Sequence, residues 1–225
     1  MKKIAIITGA GISKESGIDT FRDKDGLWLK FNPEMYASVK GWNINQINMN
    51  DFYNKRRQDL NLVSPNKAHF DLVELEKDFD VTILTQNVDD LHKRAGSSKI
   101  IYLHGELTKI RKYDDIHNDD WVDIGYTSLD LKEKPDYRPA VVFFGDSVPL
   151  MQKAYDICFD ADIIIVIGTS LRVYPVANLL NNVENKPVYI IDPERPYLIG
   201  NVTHIPLPAT KGVAKLINLL HTEIS

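Results

Sequence analysis

The sequence contains only one cysteine and has no large excess of acidic or basic residues. Each of these two features excludes some classes of function. One cysteine among 225 residues, Cys158, leaves no partner for an intramolecular disulfide and cannot build a zinc site from four thiolates. Acidic residues number 31 and basic residues 27, and the resulting charge of −4 gives no general electrostatic reason to bind nucleic acid or an anionic membrane. We therefore expect neither nucleic acid nor a membrane as a partner.

Long apolar runs are also missing. No stretch approaches the roughly 18 apolar residues that a membrane span needs. The run at residues 4–7 follows two lysines, but it is too short for a signal peptide and leads directly into a glycine turn. A cytoplasmic protein is therefore the expectation. With 44% hydrophobic residues over its length, the chain can bury one substantial core.

Short runs rich in isoleucine and valine alternate with longer mixed segments. Several runs are apolar without alternation, which is typical of strands buried on both faces of a parallel sheet. The predicted strands are residues 4–7, 81–84, 100–103, 141–144, 163–167 and 188–191. The predicted helices are residues 65–79, 148–159, 176–183 and 210–221. This alternation favours an α/β fold with a doubly wound parallel sheet and helices on both faces.

Two segments interrupt the alternation. Residues 23–61 carry aromatic and amide side chains without a clear strand, which indicates a helical insertion. Residues 113–136 contain eight acidic residues against two lysines, which is typical of a solvated excursion from the sheet. Both segments follow a predicted strand end, where α/β proteins place their ligand-binding loops.

A glycine turn follows the first predicted strand, with the sequence GAGIS at residues 9–13. Glycine at this place lets the backbone approach a pyrophosphate, whose charge faces the next helix N-terminus. The following glycine, Gly17, stands too far along the chain to complete a dinucleotide-binding fingerprint. A plain tight turn is the alternative interpretation.

Residues that could bind a ligand or take part in catalysis follow three further predicted strands. TQNVD at residues 85–89 suits recognition of ribose hydroxyls, although Asn and Asp there also cap helices. His104 closes the run at 100–103, where an imidazole can act as general base near neutral pH or be purely structural. GTSL at residues 168–171 offers a second turn of small residues whose backbone could bind phosphate or ribose.

Taken together, these segments resemble the sirtuins, which are NAD-dependent protein lysine deacylases. The matching segments occur in family order over nearly the whole chain: GAGIS at 9–13, SGIDTFR at 16–22, TQNVD at 85–89 with His92, His104 with Gly105, RPAVVFFG at 138–145 and GTSLRVYP at 168–175. DKDGLW at 23–28 and FYNKRR at 52–57 are similar to the bacterial sirtuins of the desuccinylase-related class.

The resemblance implies one catalytic domain with a Rossmann-type sheet and a small module formed by insertions at about residues 23–61 and 107–137. NAD would lie between the sheet and the module. The residues that the resemblance assigns to the cofactor are Gly9, Ala10, Gly11, Ser13, Phe21, Arg22, Gln86, Asn87, Asp89, Gly168, Thr169, Ser170, Asp192 and Ala209. Around Asp192 the sequence lacks an asparagine that the family pattern contains.

The resemblance also implies the chemistry. His104 would act as general base on the ribose hydroxyls, Asn87 would position ribose and water, and the products would be nicotinamide, free lysine and O-acyl-ADP-ribose. The partners would be acylated lysine side chains of proteins. The peptide backbone would pair with a segment by strand addition, and that segment comprises Val142, Phe143, Phe144 and Gly145.

Acyl specificity is expected to depend on Tyr53 and Arg56. The two residues are three apart in a predicted helix and so share one face. In the class that the chain resembles, such a pair binds the carboxylate of a succinyl or malonyl group. An exposed Tyr/Arg pair with no such role is the alternative, because this spacing is common.

Two other function classes remain open. The same NAD pocket could serve an NAD hydrolase or an ADP-ribosyltransferase, and a silent NAD sensor would act only by binding. The presence of both His104 and the segment 138–145 favours deacylation.

Most sirtuins hold the small module with a structural zinc on two Cys-x-x-Cys pairs, and this chain has none. Lys112 stands about where the first ligand is expected. The available substitutes are mostly hard oxygen donors: His117, Asp114, Asp115, Asp119, Asp120 and Asp123. We therefore predict a zinc-free module held by packing of Trp121, Ile124, Tyr126, Leu129 and Leu131.

Overall fold

The structure, a computed structural model, describes residues 1–20, 26–113, 115, 120–171, 175–180, 183, 186–194 and 202–224. The strands are β1 (Lys3–Thr8), β2 (Asp80–Thr85), β3 (Ile100–Tyr102), β4 (Gly105–Lys112), β5 (Val122–Asp123), β6 (Tyr137–Val141), β7 (Ile163–Ile167), β8 (Val188–Ile191) and β9 (Val202–Ile205). The helices are α1 (Ala10–Ser13), α2 (Leu27–Lys30), α3 (Pro33–Tyr36), α4 (Val39–Ile44), α5 (Gln46–Leu60), α6 (Lys67–Leu75), α7 (Leu91–Ala95), α8 (Met151–Asp160) and α9 (Ala209–Ile224).

A parallel six-stranded sheet forms the main body, in the order β3-β2-β1-β7-β8-β9. Its side chains alternate between two hydrophobic layers. Ile4 and Ile6 of β1 pack on the layer that contains residues of α6 and α9, whereas Ala5 and Ile7 pack on the layer of α8. The predicted doubly wound sheet with helices on both faces is therefore confirmed.

The chain reverses direction across the sheet between β1 and β7. From β1 it builds outward to β2 and β3, and it later returns to add β7, β8 and β9 on the other side. In open α/β sheets the crevice outside the strand ends at such a switch point is where ligands bind. The turns that follow β1 and β7 meet at this crevice.

A second, three-stranded antiparallel sheet has the order β5-β4-β6. It packs with α4 and α5 around its own hydrophobic cluster, which includes Trp42, Tyr53, Leu107 and Phe143. The helical character expected for residues 23–61 appears as α2 to α5. Within the acidic segment, Leu129 is buried while Val122 is exposed.

One predicted strand is wrong in place and in partner. Residues 141–144 were expected to form a strand of the parallel main sheet. Instead, β6 ends at Val141 and pairs with β4 of the small antiparallel sheet. The apolar run misleads because Phe143 is buried in the small cluster while Phe144 is exposed. Strands β4 and β9 were not predicted, since β4 mixes charged and apolar residues and β9 carries polar residues at an edge.

The predicted helices occur with shifted ends. α6 begins where the Asn66 side chain accepts the N–H of Ala68, two residues later than predicted. Within the helix predicted at 176–183, residues Val176–Leu180 form a short 3-10 turn and not an α-helix, and residues 181 and 182 lie outside the described residues. In the part of the chain that the structure describes, no helix is both long enough and apolar enough to span a bilayer.

Candidate active site at the carboxyl end of the sheet

The two glycine turns pack directly on each other. The Gly9 N–H donates to the Ile167 carbonyl at 3.0 Å, and the Gly11 N–H donates to the Gly168 carbonyl at 2.9 Å. A Cβ on Gly11 would lie 2.5 Å from the Gly168 Cα, and Gly168 itself has φ of +62°. Glycine is therefore required at both turns by close backbone approach. The sequence predicts each turn separately, and the fold brings them together.

A buried polar network connects the first turn to the segment after β2. The Asn87 Nδ2 donates to the Gly9 carbonyl at 3.2 Å and to the Ser13 Oγ at 3.1 Å. The Ser13 hydroxyl in turn donates to the Asp89 Oδ2 at 2.9 Å. Asp89 also accepts the Leu91 N–H at 3.1 Å at the start of α7, although the N-cap position itself is Asp90, whose side chain makes no capping hydrogen bond. Burial raises the pKa of the Asp89 carboxyl to about 6.

His104 is oriented by the segment that carries Asn87. Its Nδ1 lies 3.0 Å from the Gln86 carbonyl oxygen. A carbonyl oxygen only accepts, so Nδ1 carries the proton and Nε2 has a lone pair ready to accept one. Burial lowers the pKa of His104, and this effect is larger than the opposing effect of the Gln86 carbonyl, which raises it. Because the pKa is below its ordinary value of 6.5, the ring is mainly neutral at pH 7. A neutral imidazole in this tautomer is chemically able to accept a proton.

The second turn is connected to the same segment. The Gln86 Nε2 donates to the Thr169 Oγ1 at 3.0 Å. Thr169 is buried and its hydroxyl oxygen also accepts the Leu171 N–H, whereas Ser170 is exposed. Gln86, Asn87, Thr169 and the two glycine turns thus form one continuous polar surface at the switch point.

A cavity of about 210 Å³ opens between this surface and the insertion helices. Ala10, Asn87 and Asp89 line it from the sheet, and Arg56 lines it from α5. The complete lining is Ala10, Gly17, Ile18, Asp19, Leu27, Arg56, Asp59, Leu60, Val63, Asn87, Val88, Asp89 and Leu107. Phe21 and Arg22, which the sequence assigns to the cofactor, lie outside the described residues.

Tyr53 and Arg56 are not an exposed pair. Tyr53 is 3% exposed, and burial raises the pKa of its hydroxyl to about 12. Its ring stacks on Phe143, with centroids 5.4 Å apart. Arg56 is half-buried, with its guanidinium carbon 5.5 Å from the centroid of the Phe52 ring. Of the two residues, Arg56 lines the cavity, where a half-buried cation can receive an anion, whereas Tyr53 is not part of the lining.

The segment expected to bind peptide is partly occupied by internal hydrogen bonds. The Val142 N–H donates to the His104 carbonyl at 2.9 Å. The Phe144 N–H donates to the Ala37 carbonyl at 2.7 Å, and the Val39 N–H donates to the Phe144 carbonyl at 3.0 Å. Pairing with both backbone groups of Phe144 is therefore excluded in this conformation. Its exposed ring and Gly145, with φ of +99°, remain at the surface.

Asp192 and Ala209, which the resemblance also assigns to the cofactor, lie after β8 and at the start of α9. Asp192 follows β8, and its Oδ1 accepts the Glu194 N–H at 2.9 Å. Ala209 is buried at the first position of α9. Thr210 beside it is bound through its N–H and its hydroxyl to the Glu15 carboxylate, which attaches α9 to the helical turn after the first glycine loop.

Comparison with known proteins identifies the family. The sequence profile of the Sir2 family matches residues 9–175. The chain belongs to the Sir2 family. Its resemblance to the sirtuins is thereby confirmed, and so is the Rossmann-type fold that this resemblance implies.

Curated relatives cover most of this Sir2 chain. It is 48% identical over 199 residues to a protein of Helicobacter pylori strain 26695 named NAD-dependent protein deacylase, with 86% of each chain covered. It is 42% identical to a protein of the same name from Bacteroides thetaiotaomicron, with 98% of each covered.

Solved Sir2 structures share the fold. A mutant Sir2 homologue in complex with ADP-ribose superposes with a TM-score of 0.89 at 32% identity, covering 99% of this chain and 93% of the other. A complex of a Sir2 homologue with NAD gives a TM-score of 0.87 at 33% identity, covering 100% of this chain and 91% of the other.

The zinc site found in most sirtuins does not fit this Sir2 chain. The one cysteine, Cys158, is buried on α8 against the main sheet, far from the small module. Among the residues with described positions, no group of three or more His, Cys, Asp or Glu side chains is arranged to hold a metal ion. His117, Asp114 and Asp119 lie outside those residues.

Polar contacts that the sequence did not predict connect α5, in the first insertion, to the second insertion. Arg57 is fully buried, and its Nε donates to the Leu107 carbonyl at 2.6 Å. Asn50 and Asn54 donate to the Leu129 carbonyl at 2.9 and 3.0 Å. Tyr126 and Leu131 pack against the hydrophobic cluster of the module as well. Packing, together with these polar contacts, holds the described part of the module.

Proposed function

We propose that the chain is an NAD-dependent protein lysine deacylase that accepts acetyl groups and, through Arg56, succinyl or malonyl groups. The observation that supports it most directly is the oriented base: His104 donates from Nδ1 to the carbonyl of Gln86, and the next residue, Asn87, lines the cavity. Membership of the Sir2 family and the deacylase relatives support the same reaction class.

The residues present fit NAD. Gly11 and Gly168 approach so closely that side chains are excluded, so the wall of the site beside Ala10 is bare backbone, which a pyrophosphate can approach. When bound, NAD supplies the ribose that receives the acyl group and the nicotinamide that leaves. Asn87 and Asp89 line the cavity on the sheet side and are the groups we assign to the nicotinamide ribose.

Each polar group has a definite task. The Nε2 atom of His104 accepts a proton from a ribose hydroxyl, so that this oxygen can attack the acyl carbon. Asn87 uses its Nδ2 to bind the Gly9 carbonyl and Ser13, so its Oδ1 is the atom that can accept from a ribose hydroxyl or a water.

Acyl selectivity would come from charge. The Arg56 guanidinium and the Tyr53 hydroxyl can both donate to a carboxylate, whereas an acetyl group offers them no anion. Since Tyr53 is buried and Arg56 half-buried, the resulting hydrogen bonds would be shielded from water and correspondingly strong.

The test measures nicotinamide release from NAD with acetyl-, succinyl- and malonyl-lysine forms of one peptide, and without peptide. A deacylase releases nicotinamide only with acylated peptide and yields free lysine and O-acyl-ADP-ribose by mass spectrometry. Release without peptide would instead indicate an NAD hydrolase, and transfer of ADP-ribose to protein would indicate an ADP-ribosyltransferase. Binding of NAD without any release would leave only the role of a sensor.

A further inference from the structure

A buried ion cluster lies behind the proposed acyl site. Arg138 donates to both oxygens of Asp146, at 2.6 and 3.3 Å, and the Arg111 Nη2 lies 3.5 Å from the Asp146 Oδ2. The side chains of Arg138 and Arg111 are 2% and 3% exposed, and that of Asp146 is 9% exposed. A buried ion cluster of this kind contributes little stability compared with apolar packing. The main effect of the cluster is therefore to hold the neighbouring residues in a defined geometry.

The cluster holds Phe143 from two directions. The Asp146 Oδ2 accepts the Phe143 backbone N–H at 2.8 Å. The Arg138 guanidinium carbon lies 3.7 Å from the centroid of the Phe143 ring, which is cation–π contact. Both the main chain and the ring of this residue are thereby placed by charged groups that are not part of the cavity lining.

Phe143 passes this placement to the acyl site. Its ring is stacked on Tyr53 at 5.4 Å with an interplanar angle of 28°. On its other side Tyr53 meets Phe52 edge to face at 5.2 Å, so its ring is held between two aromatic neighbours. One of those neighbours depends on the ion cluster.

The same segment is anchored to the first insertion. Phe144 exchanges backbone hydrogen bonds with Ala37 and Val39, immediately before and at the start of α4. The segment 143–146 thus joins the small sheet, α4 and α5 at a single point. A change in the conformation of this segment would therefore move the Tyr53 ring on α5, because Phe143 stacks on that ring.

We propose that Asp146, with Arg138, is a positioning residue for acyl selectivity, acting through Phe143 on Tyr53. The inference rests on the proposed deacylase function and on a carboxylate-bearing acyl group at Tyr53 and Arg56. A displaced Tyr53 hydroxyl still permits an acetyl group, which does not need it, but weakens the hold on a succinyl group.

The test compares Asp146→Asn with the wild-type enzyme on acetyl and succinyl forms of one peptide. Asparagine keeps the shape of the side chain but removes its charge, and its NH2 cannot accept from Arg138. We expect the succinyl-to-acetyl ratio of kcat/KM to fall about tenfold, mainly through a higher KM for the succinyl peptide. Ile165→Val, in the buried strand β7, is the matched control for general destabilisation and leaves the ratio unchanged.

Two further variants separate positioning from plain stability. Phe143→Leu leaves all charges in place but removes the stacked ring, and it should lower the ratio to the same extent. In a Tyr53→Phe background, Asp146→Asn should change the ratio no further, since the hydroxyl it positions is gone. If Asp146→Asn does not fold, Phe143→Leu decides alone. A folded variant with the wild-type ratio, or an undiminished effect in the Tyr53→Phe background, would overturn the proposal.

A spectroscopic measurement keeps the inference independent of activity. In protein with 13C-labelled tyrosine, the ring signal assigned to Tyr53 by its loss in Tyr53→Phe should shift in Asp146→Asn. An unshifted Tyr53 signal refutes the contact pathway even in an active enzyme. Wild-type enzyme that does not deacylate any peptide would refute the proposed function instead. Deacylation without discrimination between acetyl and succinyl groups would refute the selectivity role only.

Discussion

The Nδ1 atom of His104 lies 3.0 Å from the carbonyl oxygen of Gln86. This hydrogen bond fixes the tautomer of the imidazole and attaches the base to the segment that carries Asn87 and Asp89. The same segment is attached to the first glycine turn by Asn87 and to the second by Gln86. The proposed base and the two glycine turns are therefore positioned by one short stretch of chain.

Removal of the base should abolish most activity. For His104→Ala we expect deacylation to fall by about 10²–10⁴-fold, the usual effect of losing a general base. Single-turnover assays on an acetyl peptide measure this, and circular dichroism checks the fold. His221→Ala, at an exposed position beside Asp78, serves as the matched histidine control. Near-normal turnover in the His104 variant would show that another group is the base.

The pH dependence of activity follows from the environment of the base. Burial lowers the pKa of His104 from its ordinary value of 6.5. The neutral form that accepts a proton therefore persists into mildly acidic solution, and the acidic limb of kcat/KM should have its midpoint below pH 6.5. A profile measured from pH 5 to 9 on acetyl peptide checks this. A midpoint above 6.5 would contradict the assignment.

Charge removal at the acyl site should affect one class of substrate. In Arg56→Met, desuccinylation should fall by one to two orders of magnitude relative to deacetylation, because a charge-assisted hydrogen bond is worth roughly 1.5–3 kcal/mol. Lys55→Met is the matched control, since Lys55 is the neighbouring cation but pairs with Asp59 at the surface. Equal losses on both peptides would mean that Arg56 acts only structurally.

Two buried histidines should make the fold sensitive to acid. Burial lowers the pKa of His69 to about 4 and, with the nearby His69 charge, that of His92 to about 3. Below pH 6.5 the unfolded chain therefore binds protons that the folded chain excludes, and stability falls as pH falls. Asp89, whose raised pKa is about 6, opposes this below that pH.

Each histidine contributes a slope of up to about 1.4 kcal/mol per pH unit between about pH 6 and 4. Urea unfolding at pH 7, 6 and 5 measures the free energy of unfolding. His92→Gln should flatten the dependence, whereas His221→Gln, at the surface, should not. A wild-type stability that is constant over this range would contradict the prediction.

The enzyme should not require zinc. The hydrophobic cluster of the small module and the hydrogen bonds of Asn50, Asn54 and Arg57 involve no metal. Prolonged treatment with a strong chelator should therefore leave both deacylation and the unfolding temperature unchanged. Stoichiometric zinc in the purified protein, or unfolding on chelation, would overturn this.

The sequence by itself determined five of the six strands of the main sheet, all but β9, and the turns at their carboxyl ends. Strands β7 and β8 occur at the predicted bounds because every one of their side chains is buried, so that a continuous apolar run is their complete signal. The glycine turns after β1 and β7 were readable for a similar reason. Only glycine permits the close backbone approach of Gly11 to Gly168. The presence of glycine at these positions is therefore itself a sign of the turn.

Only the tertiary structure decided what surrounds the acyl site. The run 141–144 has the composition of a buried strand, yet its neighbour in space is β4, and Phe144 pairs with Ser38 from a distant insertion. Arg111 and Asp146 stand 35 residues apart, and no local pattern indicates that their charges meet. The burial of a side chain and the partner of a strand depend on segments that folding brings together from distant parts of the chain. Periodicity and residue type, in contrast, indicate only the local conformation of one helix, strand or turn.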